Sequence, residues 1–422
     1  MPFTSTNTDP LIAVPDLINR LTGVKTGFNV VDGSSHFQGL TGGIGSVSLF
    51  DGINYGGAVL GPGILLTSGD GTPPETNTLP GFGLSNGLLG DTDLTNVIHS
   101  VFNPALNTQN ATTLQFDINV TDPNQKFVAV DLVFGSDEFP EYSNSSFVDI
   151  AAFFVNGVNY ANFGNDPTAP LSVLDKNLGN FQNNSGGQFA IEYDGVSTKL
   201  TIFAPVHFGV NTIKLGVADT GDAILDSGLF AANLRLSKTG VNGIVKTVEG
   251  DGGNNVLKGT GDLAEFFSAG AGNDKVFALG GNDILDLGAG KDTGDGGKGD
   301  DLLIGGAGKD LLKGGLGADV FQFLSVKDTS ANHARSDVIQ DFSHKQHDKI
   351  DLSAIDANTK KAGDQAFKFI GAQDFHHKAG ELHYVAGTGN IFVEGDVNGD
   401  GRADFAIQVN KVASLGKSDF IL

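Results

Sequence analysis

Apolar and polar residues alternate along several short segments of the first 240 residues. The alternation is clearest in Thr113–Val120 (TLQFDINV) and Asn211–Val217 (NTIKLGV). A period of two places neighbouring side chains on opposite faces, as in half-buried antiparallel strands. Two further segments, Pro10–Leu21 and Asp93–Phe102, predict helices. The other predicted strands are Gly45–Phe50, Gly63–Ser68, Lys126–Phe134, Val148–Val155, Gly187–Ile191, Thr198–Phe203 and Leu229–Leu236. Their spacing and the glycine-rich turns between them favour a β-sandwich.

A second pattern, with a period of nine residues, occupies residues 270–323. An aspartate recurs in each unit, a glycine stands two residues before it, and an apolar residue follows two after it in every unit but one. The aspartates are Asp274, Asp283, Asp292, Asp301, Asp310 and Asp319. The candidate turn glycines are Gly270, Gly272, Gly281, Gly290, Gly297, Gly299, Gly306, Gly308, Gly315 and Gly317. The pattern predicts a parallel β-roll, in which three residues form a strand and six form a turn.

Two nine-residue units make one coil of such a roll, so alternate aspartates would stack on the same edge. One edge would carry Asp274, Asp292 and Asp310, and the other Asp283, Asp301 and Asp319. Carboxylate and backbone carbonyl oxygens on a flexible turn favour calcium over zinc or copper. The pattern resembles the calcium-binding RTX repeat. Degenerate copies precede it: residues 250–258 have Asn255 at the aspartate position, and residues 259–268 fit only loosely, with Glu265 near it.

The composition agrees with an all-β, extracellular chain. The 422 residues include 49 acidic and 26 basic side chains, 61 glycines and 31 phenylalanines, with a net charge of −23. This acidity disfavours binding to nucleic acid or to anionic membranes. The chain has no cysteine, which excludes disulfides, and calcium can supply the missing cross-link. No Sec-type signal is visible at the amino terminus, and no apolar run reaches transmembrane length.

Acidic residues also cluster in two segments of the first 240 residues, 134–149 and 217–227. These residues are Asp137, Glu138, Glu141, Asp149, Asp219, Asp222 and Asp226. They could coordinate a cation or bind a sugar through calcium. The alternative is that they cap turns by bonding to their own backbone, and the spacing leaves both open.

A shorter metal motif lies near the carboxyl end. Asp396, Asn398, Asp400 and Asp404 follow a D-x-N-x-D-G pattern similar to an EF-hand loop, although the loop is shortened. Calcium binding and a plain hairpin turn rich in Asp and Gly both fit this segment.

The order of several segments resembles the choice-of-anchor L domain over residues 30–237. These segments are GILLTSGDG (63–71), GLLGDTDL (87–94), FGSDEFPEY with FVDIAAFFVNG (134–157), YDGVSTKLTI (193–202) and LGVADTGDAILDSGLF (215–230). The resemblance implies a bacterial surface or secreted protein, without a defined activity.

Residues 319–422 resemble the C-terminal domain of serralysin-type secreted metalloproteases. The matching segments are DVIQDF (337–342), HDKIDLSAID (347–356), GDQAFKFIG (363–371) and the stretch from 380 to 409. The resemblance implies an uncleaved type I secretion signal that ends in SDFIL. We therefore expect deletion of residues 419–422 to abolish export without harming the fold.

The protease itself is missing, because none of the nine histidines belongs to an H-E-x-x-H motif. One interpretation of the histidine group His376, His377 and His383 is a zinc site. The alternative is that these are solvated surface histidines.

The sequence predicts an all-β protein with a sandwich (1–240), a calcium β-roll (241–325) and a serralysin-like domain (326–422). We expect a secreted, non-enzymatic protein of the adhesion, biofilm-matrix or surface-layer type that folds on calcium. The alternatives are a calcium-dependent lectin and a secreted polysaccharide-processing enzyme with its site in residues 1–240. Expected partners are the type I secretion machinery and either further copies of the chain or surface glycans.

Overall fold

A computed structural model describes residues 3–5, 14–23, 27–39, 46–69, 87–101, 105–123, 125–143, 145, 149–163, 166–220, 225–238, 240, 243–261 and 264–422. The chain forms two compact units, Met1–Lys246 and Thr247–Leu422. Both units are built almost entirely from β-strands, as the sequence predicts.

The first unit is a sandwich of two antiparallel sheets. Its strands are β1 (Phe3–Ser5), β2 (Phe28–Val30), β3 (His36–Gln38), β4 (Val47–Phe50), β5 (Ile53–Tyr55), β6 (Ala58–Leu60), β7 (Gly63–Thr67), β8 (Thr108–Val120), β9 (Phe127–Ser136), β10 (Ile150–Val155), β11 (Val158–Asn159), β12 (Phe181–Asn183), β13 (Gly195–Ser197), β14 (Leu200–Pro205), β15 (Gly209–Thr220), β16 (Ser227–Ser237) and β17 (Gly243–Glu249). One sheet has the order β1-β4-β7-β16-β9-β14-β17, and the other β11-β10-β15-β8-β2. Strands β5 and β6 form a separate hairpin.

The alternation seen in the sequence determines which side chains face between the sheets. In β8, Leu114, Phe116 and Ile118 are fully buried in the core of the sandwich. Strand β15 pairs with β8 along almost its whole length, and its Ile213 and Leu215 lie in the same core. The period-two pattern therefore correctly predicts the longest pair of strands in this sheet.

Both predicted helices are present. Helix α1 spans Val14–Thr22, and its apolar face packs Leu17, Ile18 and Leu21 into the sandwich core. Helix α2 spans Thr92–Val101. Residues 10–13 and 102, at the ends of the predicted helices, lie outside the described residues.

One predicted strand, Gly187–Ile191, is wrong. Residues 184–193 form turns rather than a strand, and the side chain of Asn184 bridges them. Its amide nitrogen donates to the carbonyls of Ile191 and Tyr193, and its oxygen accepts from the backbone N–H of Phe189. The side chain thus satisfies backbone groups that would otherwise require strand pairing.

The second unit begins as a roll of parallel strands and continues into a short antiparallel sheet. Its strands are β18 (Val256–Gly261), β19 (Glu265–Ser268), β20 (Lys275–Leu279), β21 (Ile284–Asp286), β22 (Ala289–Gly290), β23 (Thr293–Lys298), β24 (Leu302–Ile304), β25 (Ala307–Gly308), β26 (Leu311–Leu316), β27 (Val320–Gln322), β28 (Asp337–Ile339), β29 (Lys349–Asp351), β30 (Lys368–Phe369), β31 (Glu381–Ala386), β32 (Asn390–Asp396), β33 (Phe405–Asn410) and β34 (Phe420–Ile421). Two 3₁₀ segments, Asp175–Asn180 in the first unit and Lys417–Asp419 here, complete the described elements.

Strands of the roll pair with the strand one full coil away. In one wall Thr293 pairs with Leu311, and in the other Ile284 pairs with Leu302, which is a register of eighteen residues. The apolar residue of each unit points inward, so that Leu285, Leu303 and Phe321 are fully buried. The same hydrophobic core extends to Phe420, on both sides of the predicted boundary at 325/326. The predicted domain limits stay predictions.

Candidate metal centre

The aspartates of the nine-residue repeat form two rows along the roll. All six are almost fully buried, at 0–2% exposed. In each row, Oδ1 of one aspartate accepts a hydrogen bond from the backbone N–H of the aspartate eighteen residues earlier. These pairs are Asp274–Asp292 (2.7 Å), Asp292–Asp310 (2.8 Å), Asp283–Asp301 (2.9 Å) and Asp301–Asp319 (3.0 Å). The structure thus places alternate aspartates on the edges where the spacing predicts them.

The rows extend beyond the predicted repeat at both ends. The backbone N–H groups of Asn255 and Glu265 donate to Asp274 and Asp283, which places both degenerate copies in the rows. At the other end, Asp310 donates to Asp337 and Asp319 donates to Asp348. Sequence reasoning missed Asp337 and Asp348, because the spacing there is 27 and 29 residues. Their signal is the apolar residue two positions later, Ile339 and Ile350.

The second oxygen of each row aspartate has a different environment. Among the described residues, Oδ2 is buried and accepts no hydrogen bond in Asp274, Asp283, Asp292, Asp301, Asp310, Asp319 and Asp337. A buried carboxylate oxygen that lacks a donor requires compensation by a proton or a cation. A row of such oxygens therefore suits a series of cations.

Burial perturbs the protonation of the row. Burial raises the pKa of Asp283 and Asp310 to about 8, although the backbone N–H bond opposes it and neighbouring carboxylates add to it. The same causes raise the pKa of Asp301 and Asp319 to about 7. Without a cation, these four aspartates would therefore hold protons near neutral pH.

Glycine allows the turns of successive coils to approach one another closely. A Cβ on Gly290 would lie 1.5 Å from the carbonyl oxygen of Gly272. Gly306 has a φ of +78°, and a Cβ there would lie 1.9 Å from the carbonyl oxygen of Gly288. Except for Gly290, all the candidate turn glycines have positive φ. The glycines thus bring backbone carbonyl oxygens to the turns between the aspartates.

In the EF-hand-like loop, the carboxylates accept hydrogen bonds from the loop itself, unlike those of the aspartate rows. The Asp396 carboxylate accepts from the backbone N–H groups of Gly399 (2.5 Å) and Gly401 (2.9 Å). Asp404 accepts from the backbone N–H of Val397 and from the Asn398 side-chain amide. These bonds hold the hairpin turn without a metal. Calcium at this loop, including Asp400, stays a prediction.

The two acidic segments of the sandwich meet in space. Asp137, Glu138, Asp149, Asp219 and Asp226 are all buried, at 0–4% exposed. Glu138 and Asp219 both lie near Asp149, and the backbone N–H of Asp137 donates to the Asp226 carbonyl (3.2 Å). Glu141 is exposed, and Asp222 lies outside the described residues. The prediction that these residues bind a metal or a sugar is not tested by this arrangement.

Burial also dominates the electrostatics of the Asp137 carboxyl. It raises the pKa of Asp137 to about 9, and the nearby Asp194, Asp226 and Glu192 carboxylates add to the effect, against a backbone hydrogen bond from Asp194. The neighbourhood therefore disfavours a charged Asp137 unless a cation is present.

Two of the three histidines in the candidate zinc group contact carboxylates. His376 contacts Glu381, at 3.1 Å, and His383 contacts Glu394, at 3.0 Å. His377 bonds to the backbone carbonyl of Asp400. Within the described ranges, no group of three or more His, Cys, Asp or Glu side chains is already arranged around a common metal position.

A cavity of about 450 Å³ opens in the sandwich away from the acidic cluster. Its lining includes Arg20, Asp131, Lys199 and Asn233. Asp131 accepts hydrogen bonds from the side chains of Thr201 and Asn233, both at 2.9 Å. The cavity therefore offers both donors and acceptors, as a polar ligand requires.

Comparison with known proteins gives two family matches. Residues 7–233 match the choice-of-anchor L domain, and residues 240–422 match the C-terminal domain of peptidase M10 serralysin. No curated protein matches the chain. In the part of the chain that the structure describes, no helix is long and apolar enough to cross a membrane.

Two solved structures are similar to part of the chain. The AlgE6R3 subunit of the mannuronan C5-epimerase from Azotobacter vinelandii is 22% identical, with a TM-score of 0.25, over 41% of this chain and 80% of its own. The AlgE6R2 subunit of the same epimerase is 27% identical, with a TM-score of 0.27, over 42% of this chain and 92% of its own.

The two family matches together indicate a secreted, surface-type protein. The first takes in more than half of the residues, and the described strands within it form the sandwich. The chain therefore belongs to the choice-of-anchor L domain family.

Proposed function

We propose that this chain is a secreted, non-enzymatic cell-surface or matrix protein whose roll folds when it binds calcium. The observation that carries the proposal is the row of buried Oδ2 atoms along each edge of the roll. The proposed partners are the type I secretion machinery, and further copies of the chain or surface glycans outside the cell.

The available donors fit calcium. The row aspartates offer one free carboxylate oxygen each, and the glycine turns bring backbone carbonyls close to them. Calcium accepts such all-oxygen ligand sets of irregular geometry, whereas zinc and copper favour nitrogen and sulfur. Asp283, Asp301 and Asp319 would hold the ions of one edge, and Asp274, Asp292 and Asp310 those of the other. Bound calcium would neutralise the negative charge of the buried carboxylates. The roll would therefore fold only after export, where calcium is available.

The substitution Asp301→Asn tests this proposal. Asparagine keeps the oxygen that accepts from the Asp283 backbone but replaces the free Oδ2 with an amide. In a calcium titration of the chelator-stripped full chain, we expect the circular dichroism midpoint to rise about ten-fold or more, roughly 1.4 kcal/mol of lost binding free energy.

Asp364→Asn is the matched control, because Asp364 is an exposed aspartate of the same unit. Its midpoint should stay within about two-fold of wild type, since an exposed charge contributes little. Equal midpoints for both variants, or a wild type that gains no β-structure with calcium, would refute the proposal.

Light scattering on the same titration tests the surface or matrix role. If ordered assemblies form as the roll folds, the chain is a matrix or surface-layer component. If the calcium-loaded chain remains a monomer, the self-assembly form of the proposal is wrong. Glycan binding then becomes the favoured role, and the polar cavity is its first candidate site.

A further inference from the structure

Three of the few cationic side chains of the sandwich lie around one cavity. The lysines and arginines of residues 1–240 are Arg20, Lys25, Lys126, Lys176, Lys199, Lys214, Arg235 and Lys238. Arg20 and Lys199 line the cavity of about 450 Å³ described above, and Arg235 bonds to Asp131 in its wall. Because a cleft lined by one sign of charge attracts ligands of the opposite sign, this arrangement favours an anionic ligand.

The one carboxylate in the described cavity wall already has partners within the protein. Asp131 is 5% exposed, and its Oδ1 accepts hydrogen bonds from Arg235 Nη1 and Thr201 Oγ1, both at 2.9 Å. Its Oδ2 accepts from the Asn233 side-chain amide at 2.9 Å. Lys199 Nζ lies 3.8 Å from Oδ2, which is longer than a hydrogen bond. Both oxygens of Asp131 are therefore hydrogen-bonded without Lys199.

The charges at the described cavity wall leave a positive excess. Arg20 and Lys199 face a single carboxylate, Asp131, which also pairs with Arg235. The Lys199 side chain is only 12% exposed, whereas the Asp51 carboxylate that pairs with Arg20 is 78% exposed. Water screens the exposed pair, but a largely buried ammonium group is costly unless negative charge lies close to it. An anion in the cavity would supply that charge.

A bulge in strand β16 shapes this wall. The register of β16 against β9 shifts between Ala232 and Arg235, and Asn233 has a φ of +55°. Bulges redirect side chains and are common next to functional sites. Here the bulged segment brings both Asn233 and Arg235 to the Asp131 carboxylate. The irregular backbone therefore helps to hold the acid in place and leaves Lys199 beside the cavity.

We propose that this cavity binds an acidic sugar, with Lys199 and Arg20 as the cationic partners of its carboxylate. The apolar surface of Leu60 and Pro62 suits the carbon-bound face of a sugar ring, and the Asn233 amide can bond to hydroxyl groups. This inference rests on the glycan-binding form of the proposed function and names the class of glycan.

Binding of D-glucuronate to the calcium-loaded full chain tests the proposal. D-glucose has a similar ring without the carboxylate, and acetate has the carboxylate without the ring. In titrations followed by saturation-transfer NMR, glucuronate should bind wild type about ten-fold more tightly than either. If glucose binds as tightly, the cavity does not recognise charge. If acetate binds as tightly, it does not recognise the sugar. Either result overturns the proposal.

Substitutions locate the site. Lys199→Gln should weaken glucuronate binding about ten-fold, because it removes the charge but keeps a polar side chain. Lys176→Gln is the matched control, an exposed lysine of the same unit, and should bind as wild type does. Arg20→Gln should also weaken binding, and it remains informative if Lys199→Gln folds poorly, because its side chain is 29% exposed. Equal binding by all these variants would overturn the proposal.

Circular dichroism of the same samples separates this result from failure of the proposed function. A chain that gains β-structure with calcium but binds no glucuronate overturns the cavity proposal alone. A chain that gains no β-structure with calcium refutes the calcium-dependent roll. Glucuronate binding that is lost in Lys199→Gln would support the cavity in either case.

Discussion

At the scale of single residues, the roll depends on positions where no side chain fits. Gly306 has a positive φ of +78°, and a Cβ at this position would lie only 1.9 Å from the Gly288 carbonyl oxygen. An L-residue with this φ is strained, and the contact is with backbone that cannot rotate away. The glycine is therefore required both for the turn itself and for its contact with the preceding coil.

We expect Gly306→Ala to destabilise the calcium-loaded roll by at least about 2 kcal/mol, which is roughly 4–8 °C in the melting temperature of a unit of this size. Differential scanning calorimetry measures the effect. Gly416→Ala is the control, because its φ is negative and a Cβ there would meet no atom closer than 3.7 Å. If both substitutions lowered the melting temperature equally, close packing of the coils would not explain the glycines.

At the scale of elements, strands β31 and β32 are joined by a charged cross-strand pair. His383 and Glu394 are directly opposite in the register, and His383 Nε2 lies 3.0 Å from Glu394 Oε2. His383 Nδ1 lies 2.7 Å from the Gln373 carbonyl oxygen and so carries a hydrogen. Nε2 can therefore donate to Glu394 only when the imidazole is protonated.

The pKa shifts give this pair a defined pH dependence. Burial alone would lower the pKa of His383, but the bonds to Glu394 and Gln373, with the nearby Asp374, outweigh it and raise the pKa. Burial alone would raise the pKa of Glu394, but the bonds from His383 and His333 outweigh it and lower the pKa. A raised histidine pKa stabilises the fold at low pH, and this contribution is lost as pH rises through the folded-state value.

We therefore expect wild type to exceed His383→Gln in stability by about 1 kcal/mol at pH 6, and by less as the pH rises to 9. Denaturant unfolding at each pH measures the difference. In a Glu394→Gln background the substitution should have no such pH dependence, which isolates the pair as a double-mutant cycle. A stability difference that is constant from pH 6 to 9 would contradict this account.

At the scale of the whole molecule, the sequence predicts best what is periodic. The nine-residue spacing is sufficient for the eighteen-residue register of the roll and for both aspartate rows. The rows continue to Asp337 and Asp348 because the chain comes back to the edge of the roll after 27 and 29 residues instead of eighteen. A fixed period cannot predict these longer separations. The meeting of Asp149 with Asp219 depends on how β10 pairs with β15, which composition and local patterning do not determine.

The position of the last strand, β34, also could not be predicted from a fixed period. It changes what we expect of a deletion at the carboxyl end. Phe420 is only 8% exposed, pairs with Ile350 in the parallel register of β29 and β34, and has its ring 5.0 Å from that of Phe369. Deletion of residues 419–422 would remove this contact from the core. We therefore expect the deletion to harm the fold, contrary to the expectation from the sequence, and a loss of export after such a deletion would not by itself identify a signal.

Single substitutions in β34 separate packing from recognition by the export machinery. Phe420→Ala should destabilise the calcium-loaded chain by about 3 kcal/mol, because it leaves a cavity in the core of the second unit. Ile421→Ala, on the same strand but 41% exposed, should change stability by less than about 1 kcal/mol. Thermal unfolding in calcium measures both, and secretion of both variants is then compared.

If Phe420→Ala folds as stably as Ile421→Ala, β34 is not part of the core. If the two variants differ in stability but are exported equally, the packing of Phe420 in the folded core does not determine export.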